Sequence, residues 1–322
     1  MNQRMRTVAG LDLPFSQDEK IQRILRSAIG PLAPKTGGTG IKAPSIGGLG
    51  ASLGLPWQAD YFGLDRVGIF QEADSIQQNA ILQICNRNFL EEAYFVEKAG
   101  MGYMAKMVLM AETLEERMLY ALFSADEARH LTQIREFLTE EPENTSDPFF
   151  QLLAELAEGD DDLRSVGDHR SILMFVIQVV LEGWGLSHYR SLAKDCQNAE
   201  LAATLTNFLQ EESKHHATGV TLFGRCQLSV ASSQIMVEIL AQFLQMVQVG
   251  PQGVVKAIDN CVGLTAGQRV QIFEELDTQM HSGTRLKLLQ GLMQTSGGGS
   301  IVQALIDRGA FEPYPATICA TI

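Results

Sequence analysis

Apolar residues recur at helical spacing in four long runs through the middle of the chain, and none of these runs contains a proline. The runs predict helices over residues 67–110, 114–138, 171–194 and 199–228. A break of the first helix near Gly100 and Gly102 is left open, because glycine is a poor helix former. The pattern therefore favours an all-α fold.

Two capping signals precede the second and fourth runs and divide the four helices into two hairpins. Thr113-Leu-Glu-Glu116 fits a capping box, which starts a helix by satisfying its free backbone N–H groups. Asn198 is a good N-cap residue just before the fourth run. We therefore expect the first and second helices to be antiparallel, and likewise the third and fourth.

One pattern of glutamate and histidine occurs twice on the predicted helices. Glu97 precedes Glu127-Ala-Arg-His130 by thirty positions, and Glu182 precedes Glu212-Ser-Lys-His215 by thirty positions. A glutamate and a histidine three residues apart lie on one face of a helix, so both can reach one metal ion. Residues equidistant from a hairpin turn lie at equal height. Each lone glutamate is therefore expected opposite the glutamate of its paired motif.

All four glutamates lie on the apolar stripes of their helices and are expected to point into the protein. A buried carboxylate costs on the order of several kcal/mol unless it is paired or binds a metal. The stripes offer too few cationic partners for four converging carboxylates, whereas two divalent cations would neutralise them. The alternative is that these acids are solvated charges on a non-enzymatic helical scaffold.

The segment Ser124-Ala-Asp-Glu-Ala-Arg-His130 resembles the Asp-Glu-x-x-His signature of the oxygenase branch of the ferritin-like superfamily, whose members hold carboxylate-bridged di-iron centres. The resemblance covers about residues 67–228 and implies a ferritin-like four-helix bundle. It implies terminal carboxylates at Glu97 and Glu182 and bridging carboxylates at Glu127 and Glu212. It also implies that His130 and His215 each bind one iron, and that Asp126 and Glu211 support these histidines.

The resemblance implies a non-haem di-iron oxidase or oxygenase that activates O₂ to oxidise a small organic substrate. Oxygenation, N-oxidation and desaturation all fit, and an external electron donor is expected. Fe/Mn or Mn/Mn occupancy is also compatible with these ligands, because metal selectivity depends on geometry and availability as well as ligand type. The first alternative is a ferritin-like protein that binds and oxidises iron, which would form a cage or a large oligomer.

Two positions depart from related di-iron proteins. Ribonucleotide reductase small subunits usually carry a radical tyrosine four residues after the first ligand histidine, where this chain has Ile134. Bacterial multicomponent monooxygenases often carry a threonine four residues after the third-helix glutamate, where this chain has Leu186. The chain is therefore not expected to be a ribonucleotide reductase subunit, and its proton delivery would differ from that of the monooxygenases.

Other residues near the motif have simpler interpretations. Tyr94, Tyr120 and Tyr189 lie on the stripes that carry the predicted ligands, and we interpret them as core packing. Gly100 and Gly185 each follow a predicted terminal glutamate by three residues. These glycines either clear space for O₂ or substrate beside the metals or allow close packing of helices, and the sequence leaves both readings open.

The remaining residues are predicted to surround the four helices. Residues 1–65 read as an irregular arm with a short helix near 16–29, begun by the capping box Ser16-Gln-Asp-Glu19. A short helix near 149–157 is expected in the connection between the hairpins. Further helices at 232–249, 252–262, 266–280 and 301–307 pack on the bundle or form a subunit interface, for example in a homodimer. The predicted domains are 1–65, 66–230 and 231–322.

Composition limits the partners of this chain. Its net charge of −13 disfavours nucleic-acid binding, which needs a basic patch. Five scattered cysteines without a C-x-x-C pair indicate free thiols in a reducing cytoplasm. The N-terminus leads into no apolar segment of a signal peptide, and no uninterrupted apolar stretch is long enough for a membrane span. We therefore expect a cytoplasmic protein.

Overall fold

The computed structural model describes residues 14–29, 54–140 and 166–322, together with positions 142, 151 and 156. Every regular element in this part of the chain is a helix, and no strand occurs in it. The all-helical prediction is thereby confirmed for these residues. Of the short helix predicted near 149–157 the structure describes positions 151 and 156 alone, and both are helical. Much of the arm predicted over 1–65 lies outside the described residues.

The predicted ligands lie on helices whose ends are set by local capping. The elements are α1 Glu19–Ile29, a 3₁₀ turn Leu64–Arg66, α2 Gly68–Glu72, α3 Ser75–Met110, α4 Leu114–Arg135, α5 Val166–Leu173, a π-helical segment Met174–Leu181, α6 Glu182–Asp195 and α7 Ala199–Phe223. The first predicted helix therefore begins later than expected and continues through Gly100 and Gly102 without a break. It begins at Ser75 because Asp74 and Gln77 form a complete capping box there.

Two other caps decide where neighbouring helices begin. Asn198 caps α7 as predicted, since its side chain accepts from the N–H groups of Glu200 and Leu201. Thr113 caps α4 through the N–H of Glu116, but the Glu116 carboxylate accepts from Glu112 rather than Thr113, so the predicted capping box is only half formed.

The cap predicted at Ser16 is wrong in its position. Asp18 Oδ1 accepts from the N–H groups of Lys20 and Ile21 at the start of α1, whereas Ser16 Oγ accepts from the N–H of Asp18. The carboxylate lies closer to the free N–H groups of the first turn and carries the charge that the helix N-terminus favours.

The helices of each predicted hairpin pack side by side, α3 along α4 and α6 along α7. Helices α4 and α7, which carry the two Glu-x-x-His motifs, also contact each other. Helix α1 packs against both α4 and α7. The two copies of the repeated motif therefore face one another across the α4–α7 contact.

The third predicted helix differs most from expectation. It begins earlier, at Val166, and changes into a π-helix over Met174–Leu181 before α6 starts at Glu182. Residues 174–180 are all buried. A π-helix is wider than an α-helix and rotates the following residues relative to an unbroken α-helix. The irregular segment therefore sets the direction in which Glu182 points.

The C-terminal helices pack on those that carry the motif. They are α8 Val230–Gln248, α9 Gln252–Val262, α10 Ala266–Glu275, α11 Thr278–Thr295, α12 Gly299–Asp307 and α13 Ala316–Cys319. Helix α8 contacts α5, α9 contacts α3, and α11 contacts the π-helical segment and α6. The single helix predicted over 266–280 is wrong: Asp277 adopts a left-handed φ of 49° and separates α10 from α11.

Two apolar cores lie on opposite sides of the predicted ligands. The Phe175 core includes Tyr103, Phe123 and Val180, and the Trp57 core includes Tyr94, Ile134, Tyr189 and Phe208. On each ligand-bearing helix the glutamate lies in sequence between residues of the two cores. The acids and histidines thus form a polar layer inside an otherwise apolar interior.

Two stretches, His169–Asp195 and Val230–Gln248, are long and apolar enough to cross a membrane by length and composition alone. Core helices meet the same criteria, and more than half of the first stretch lies inside the protein. The absence of a membrane span therefore stays a prediction.

Candidate metal centre

All six predicted ligands converge in the polar layer. They come from α3, α4, α6 and α7 and fall into two groups of four, each with ligand atoms within 4.8 Å of one another. The groups are Glu97, Glu127, His130 and Glu212, and Glu127, Glu182, Glu212 and His215. Glu127 and Glu212 belong to both groups. Each group could hold a metal ion.

The distances between these atoms are compatible with a metal site as well as with hydrogen bonds. His130 Nδ1 lies 3.0 Å from Glu97 Oε2, and His215 Nδ1 lies 3.1 Å from Glu127 Oε1. Ligands about 2.1 Å from a metal and at right angles are about 3.0 Å apart. Yet His215 Nδ1 and Glu182 Oε2 are buried atoms that form no hydrogen bond with the described residues. Buried polar atoms without hydrogen-bond partners are typical of a set of ligands for a cation.

The charges in the layer also call for a cation. Burial, Glu212 and Glu97 raise the pKa of Glu127 well above its usual range. Burial likewise raises the pKa of Glu182, with His215 opposing and the other carboxylates adding to the rise. Among the described residues, the ion-pair partners of Glu97, Glu127 and Glu212 are the two histidines. Two divalent cations would balance the four carboxylates.

Each histidine turns Nδ1 into the cluster and Nε2 toward an acid on the opposite helix. His130 Nε2 lies 2.7 Å from Glu211 Oε2, and His215 Nε2 lies 3.5 Å from Asp126 Oδ2. The acid preceding one Glu-x-x-His motif therefore contacts the histidine of the other. An acceptor at Nε2 keeps the proton there and leaves the Nδ1 lone pair free for a metal.

The imidazoles are also fixed by charge and by packing. Burial lowers the pKa of His130, but hydrogen bonds with Glu211, Glu212 and Glu97 raise it to about 12. The His130 ring stacks on Phe208 at 4.0 Å between centroids, and the His215 ring lies 4.2 Å from that of Phe123. The rings therefore have little freedom to rotate away from the cluster.

Arg129 is a residue that the sequence pattern did not single out. Its Nη2 lies 2.6 Å from both Asp126 Oδ1 and Glu211 Oε1, so one guanidinium holds both acids. The hydrogen bond to His130 lowers the pKa of Glu211 to about 2, with burial opposing and Arg129 adding to the fall. Arg129 occupies the middle of Glu127-Ala-Arg-His130, but its reach to the other helix is a tertiary contact that sequence spacing does not reveal.

Two tyrosines interpreted as core packing also make polar contacts. The Tyr189 hydroxyl donates to Glu97 Oε1, which holds that carboxylate from the side of α6. The hydroxyls of Tyr103 and Tyr120 both donate to Gln178 Oε1 at 2.9 Å. Gln178 Nε2 in turn donates to the carbonyl of His215. The interpretation of Tyr120 and Tyr189 as core packing was therefore incomplete. For Tyr189 the sequence did carry a signal, because it lies two turns after Glu182 on the same apolar stripe.

A small cavity of about 90 Å³ lies beside the cluster, between α3 and the helix formed by the π segment and α6. The four carboxylates of the cluster and that of Glu92 border it, and most of its remaining wall is apolar. Its wall residues on α3 include Ala93, Val96, Ala99, Gly100 and Tyr103, and those opposite include Ile177, Leu181, Trp184, Gly185, His188 and Tyr189. The candidate centre therefore has an apolar space next to it.

The fold and the site define a class: an all-helical protein with a buried carboxylate–histidine cluster that could bind metal, loosely compatible with a ferritin-like di-iron site. No protein-family model, curated protein or solved structure matches this chain. What the cluster does must therefore be inferred from its residues and their chemistry.

Proposed function

We propose that this protein is a non-haem di-iron oxidoreductase that uses O₂ to oxidise a small organic substrate. In this proposal α3, α4, α6 and α7 form a ferritin-like four-helix bundle around two metal ions. The observation that carries the proposal is the convergence of four carboxylates and two imidazoles from these four helices into one buried layer. The apolar cavity beside that layer supports a substrate other than iron itself.

Each ion would be held by one histidine, one terminal carboxylate and the two shared carboxylates. Glu97 and His130 belong to the first group only, and Glu182 and His215 to the second only. Glu127 and Glu212 belong to both, which supports their assignment as bridges. Fe/Mn or Mn/Mn occupancy stays compatible with the same nitrogen and oxygen donors.

When bound, two ferrous ions would supply electrons to O₂, and an external donor would replace them. The residues of the chain prepare the site for this chemistry. Glu211 and Asp126 hold the histidines with Nδ1 turned inward. Tyr189 holds Glu97 through a hydrogen bond from its hydroxyl group. The apolar wall keeps bulk water from the reacting atoms and gives an organic group a place to lie.

Elemental analysis tests the metal centre directly. Protein expressed with iron and manganese should contain about two metal ions per chain, as two four-ligand groups imply. The Glu127→Ala/Glu212→Ala variant should lose both ions, because each group includes both residues. The matched control is Glu136→Ala/Glu200→Ala, which removes two exposed glutamates at the end of α4 and the start of α7. Metal-free wild type after anaerobic ferrous loading would refute the proposal.

Oxygen consumption tests the reaction. Reduced, iron-loaded wild type should consume O₂, and the double variant should not. If the loaded protein consumed no O₂, the oxidase function would be wrong even with both metals present. Continuous turnover of added Fe²⁺ in a cage-like oligomer, with no organic substrate, would indicate iron oxidation instead.

A further inference from the structure

The two glycines that follow the terminal glutamates have different surroundings. A Cβ atom on Gly100 would lie 2.7 Å from Glu127 Oε2, so the absent side chain there makes room for a carboxylate. A Cβ atom on Gly185 would meet no other atom within 4 Å, and Gly185 borders the cavity. The space left by Gly185 is therefore part of the cavity itself.

The cavity walls offer mainly apolar contacts. Ala93, Val96 and Ala99 line it from α3, and Ile177, Leu181 and Trp184 line it from the opposite side. The tyrosine hydroxyls at its border are already engaged: Tyr103 donates to Gln178 and Tyr189 donates to Glu97. Glu92 and His188 are further polar side chains at its border. A group lying between the apolar walls, away from these residues and the four cluster carboxylates, is therefore held mainly by apolar contact.

The cavity is small enough to discriminate by shape. An apolar cavity of about 150 Å³ is known to accept benzene. The present cavity of about 90 Å³ is smaller than the cavity that accepts benzene. A chain of a few carbon atoms fits this space, whereas an aromatic ring requires the helices to move apart.

We propose that Gly185 determines the size of the group admitted beside the metals, and that this group is a short, unbranched, uncharged aliphatic one. The proposal rests on the di-metal function above and specifies its substrate class. An unbranched chain fits into the space beside Gly185, whereas any side chain at this position would reduce the length of that space. Gly185 is thus a specificity-determining residue, although a Cβ atom there would contact no side chain of a proposed ligand.

Trp184 provides a readout that needs no catalysis. It borders the cavity, whereas the other tryptophan, Trp57, is buried in the Trp57 core with its Nε1 donating to Leu192 O. Bromine quenches indole fluorescence by contact, so 1-bromopropane and bromobenzene serve as a linear and a ring probe. The protein is loaded with Zn²⁺ as a non-quenching ion, and its metal content is measured in the same sample. A Trp184→Phe variant gives the background from Trp57.

The test compares Gly185→Leu with Gly291→Leu. Gly291 also lies inside a helix with no atom near its Cβ position, but it is exposed on α11. We expect saturable quenching by 1-bromopropane in wild type and in Gly291→Leu. Its affinity should fall about tenfold or more in Gly185→Leu, as for other groups removed from an apolar pocket. Bromobenzene should quench wild type without saturation.

Each outcome has a definite meaning. The role of Gly185 would be overturned if 1-bromopropane bound wild type and Gly185→Leu with equal affinity. It would also be overturned if the two probes quenched wild type with equal affinity. Absence of saturable quenching in metal-loaded wild type would overturn the substrate class. Absence of bound metal with size-selective quenching intact would instead overturn the di-metal function and leave the cavity assignment standing. Thermal unfolding of each variant identifies a fold defect, and Gly185→Ala provides a smaller side chain if leucine unfolds the protein.

Discussion

The histidines of the two motifs are supported across the α4–α7 contact. Glu211 contacts the histidine of α4, and Asp126 contacts the histidine of α7. Arg129 then joins the two acids. Because each helix orients a ligand of its neighbour, a small shift of one helix disturbs both histidines. This coupling makes the orientation of both histidines depend on the α4–α7 contact.

Glu211→Ala should weaken metal binding about 10- to 100-fold, the usual loss when the hydrogen-bond partner of a ligand histidine is removed. The variant leaves His130 Nε2 without its 2.7 Å acceptor, so the ring loses its preferred tautomer and orientation. Competition with a chelating dye measures the affinity. Asp126→Ala should act in the same way through His215.

The control for this prediction is Glu200→Ala. Glu200 lies on the same helix as Glu211 but is exposed in the first turn. It should leave metal affinity unchanged. Equal affinities of wild type and Glu211→Ala would show that the acid is a surface charge with no role at the site.

At the scale of the helices, the π-helical segment organises the interior next to the site. Its Gln178 is fully buried, accepts from two tyrosine hydroxyls and donates to the carbonyl of His215. Gly219 on α7 allows this approach, because a Cβ there would lie 2.6 Å from Gln178 Cγ. The segment therefore links α3, α4 and α7 through one amide side chain.

Gln178→Leu should destabilise the protein by roughly 1–3 kcal/mol, because it removes the acceptor shared by two buried tyrosine hydroxyls and a second donor to the His215 carbonyl. Urea unfolding measures the loss. Adding Tyr103→Phe and Tyr120→Phe in the Gln178→Leu background should recover part of it, since the unpaired hydroxyls are then absent. A triple variant no more stable than Gln178→Leu would contradict this account of the network.

The two glycines give a second comparison between helices. Gly185→Ala should raise the free energy of unfolding by about 0.5–1 kcal/mol, the difference between alanine and glycine inside a helix, and leave metal affinity unchanged. Gly100→Ala gains the same helix propensity, but its Cβ displaces the Glu127 carboxylate. Its metal affinity should fall about tenfold or more, as for other changes that misplace a ligand side chain. Isothermal metal titration and urea unfolding test both variants, and similar metal affinities in the two would contradict the assignment.

Helix positions and ligand convergence were accessible from sequence because both are periodic. The apolar repeat marks the helices, and the Glu-x-x-His spacing marks residues that share a face. Asn198 had a recognisable local signal and was predicted. Asp74-Ser-Ile-Gln77 carried the same kind of signal and went unused. The π-helical segment had none, because all its residues except Gln178 are apolar and its form depends on packing around that side chain. The crossed contacts of Glu211 and Asp126 are also tertiary, so periodicity could not reveal them.

Considered as a whole, the molecule places a charged layer between two apolar cores. Each core is stabilised by burial of apolar surface, whereas the layer gains little from burial while its carboxylates lack cations. Two metal ions held by all four helices would turn that layer into a cross-link. At a free metal concentration one hundred times Kd, each site would add about 2.7 kcal/mol to the stability of the folded state.

In the metal-free protein, the ionisable groups of the polar layer should make the free energy of unfolding fall as pH rises. Burial and neighbouring carboxylates raise the pKa of Glu127 and Glu182 above 4.5, and the acids around His130 raise its pKa from 6.5 to about 12 against the effect of burial. A group whose pKa is raised on folding stabilises the protein below its unfolded pKa, and that contribution is lost as pH rises through the folded pKa. Glu212 has a pKa lowered to about 2 and acts in the opposite sense, but only below pH 4.5.

Metal binding should reverse this trend, because a metal binds carboxylates and imidazoles only after they lose their protons. The difference in Tm between Mn²⁺-loaded and metal-free protein should therefore widen between about pH 6.5 and 8.5, where metal-free stability declines and metal affinity rises. Calorimetry at these pH values measures the difference, and titration in weakly buffered solution should detect protons released on loading. In Glu127→Ala/Glu212→Ala the Tm difference should vanish at every pH. A wild-type difference that stayed constant with pH, without proton release, would mean that the metal does not enter the buried layer and binds at surface carboxylates.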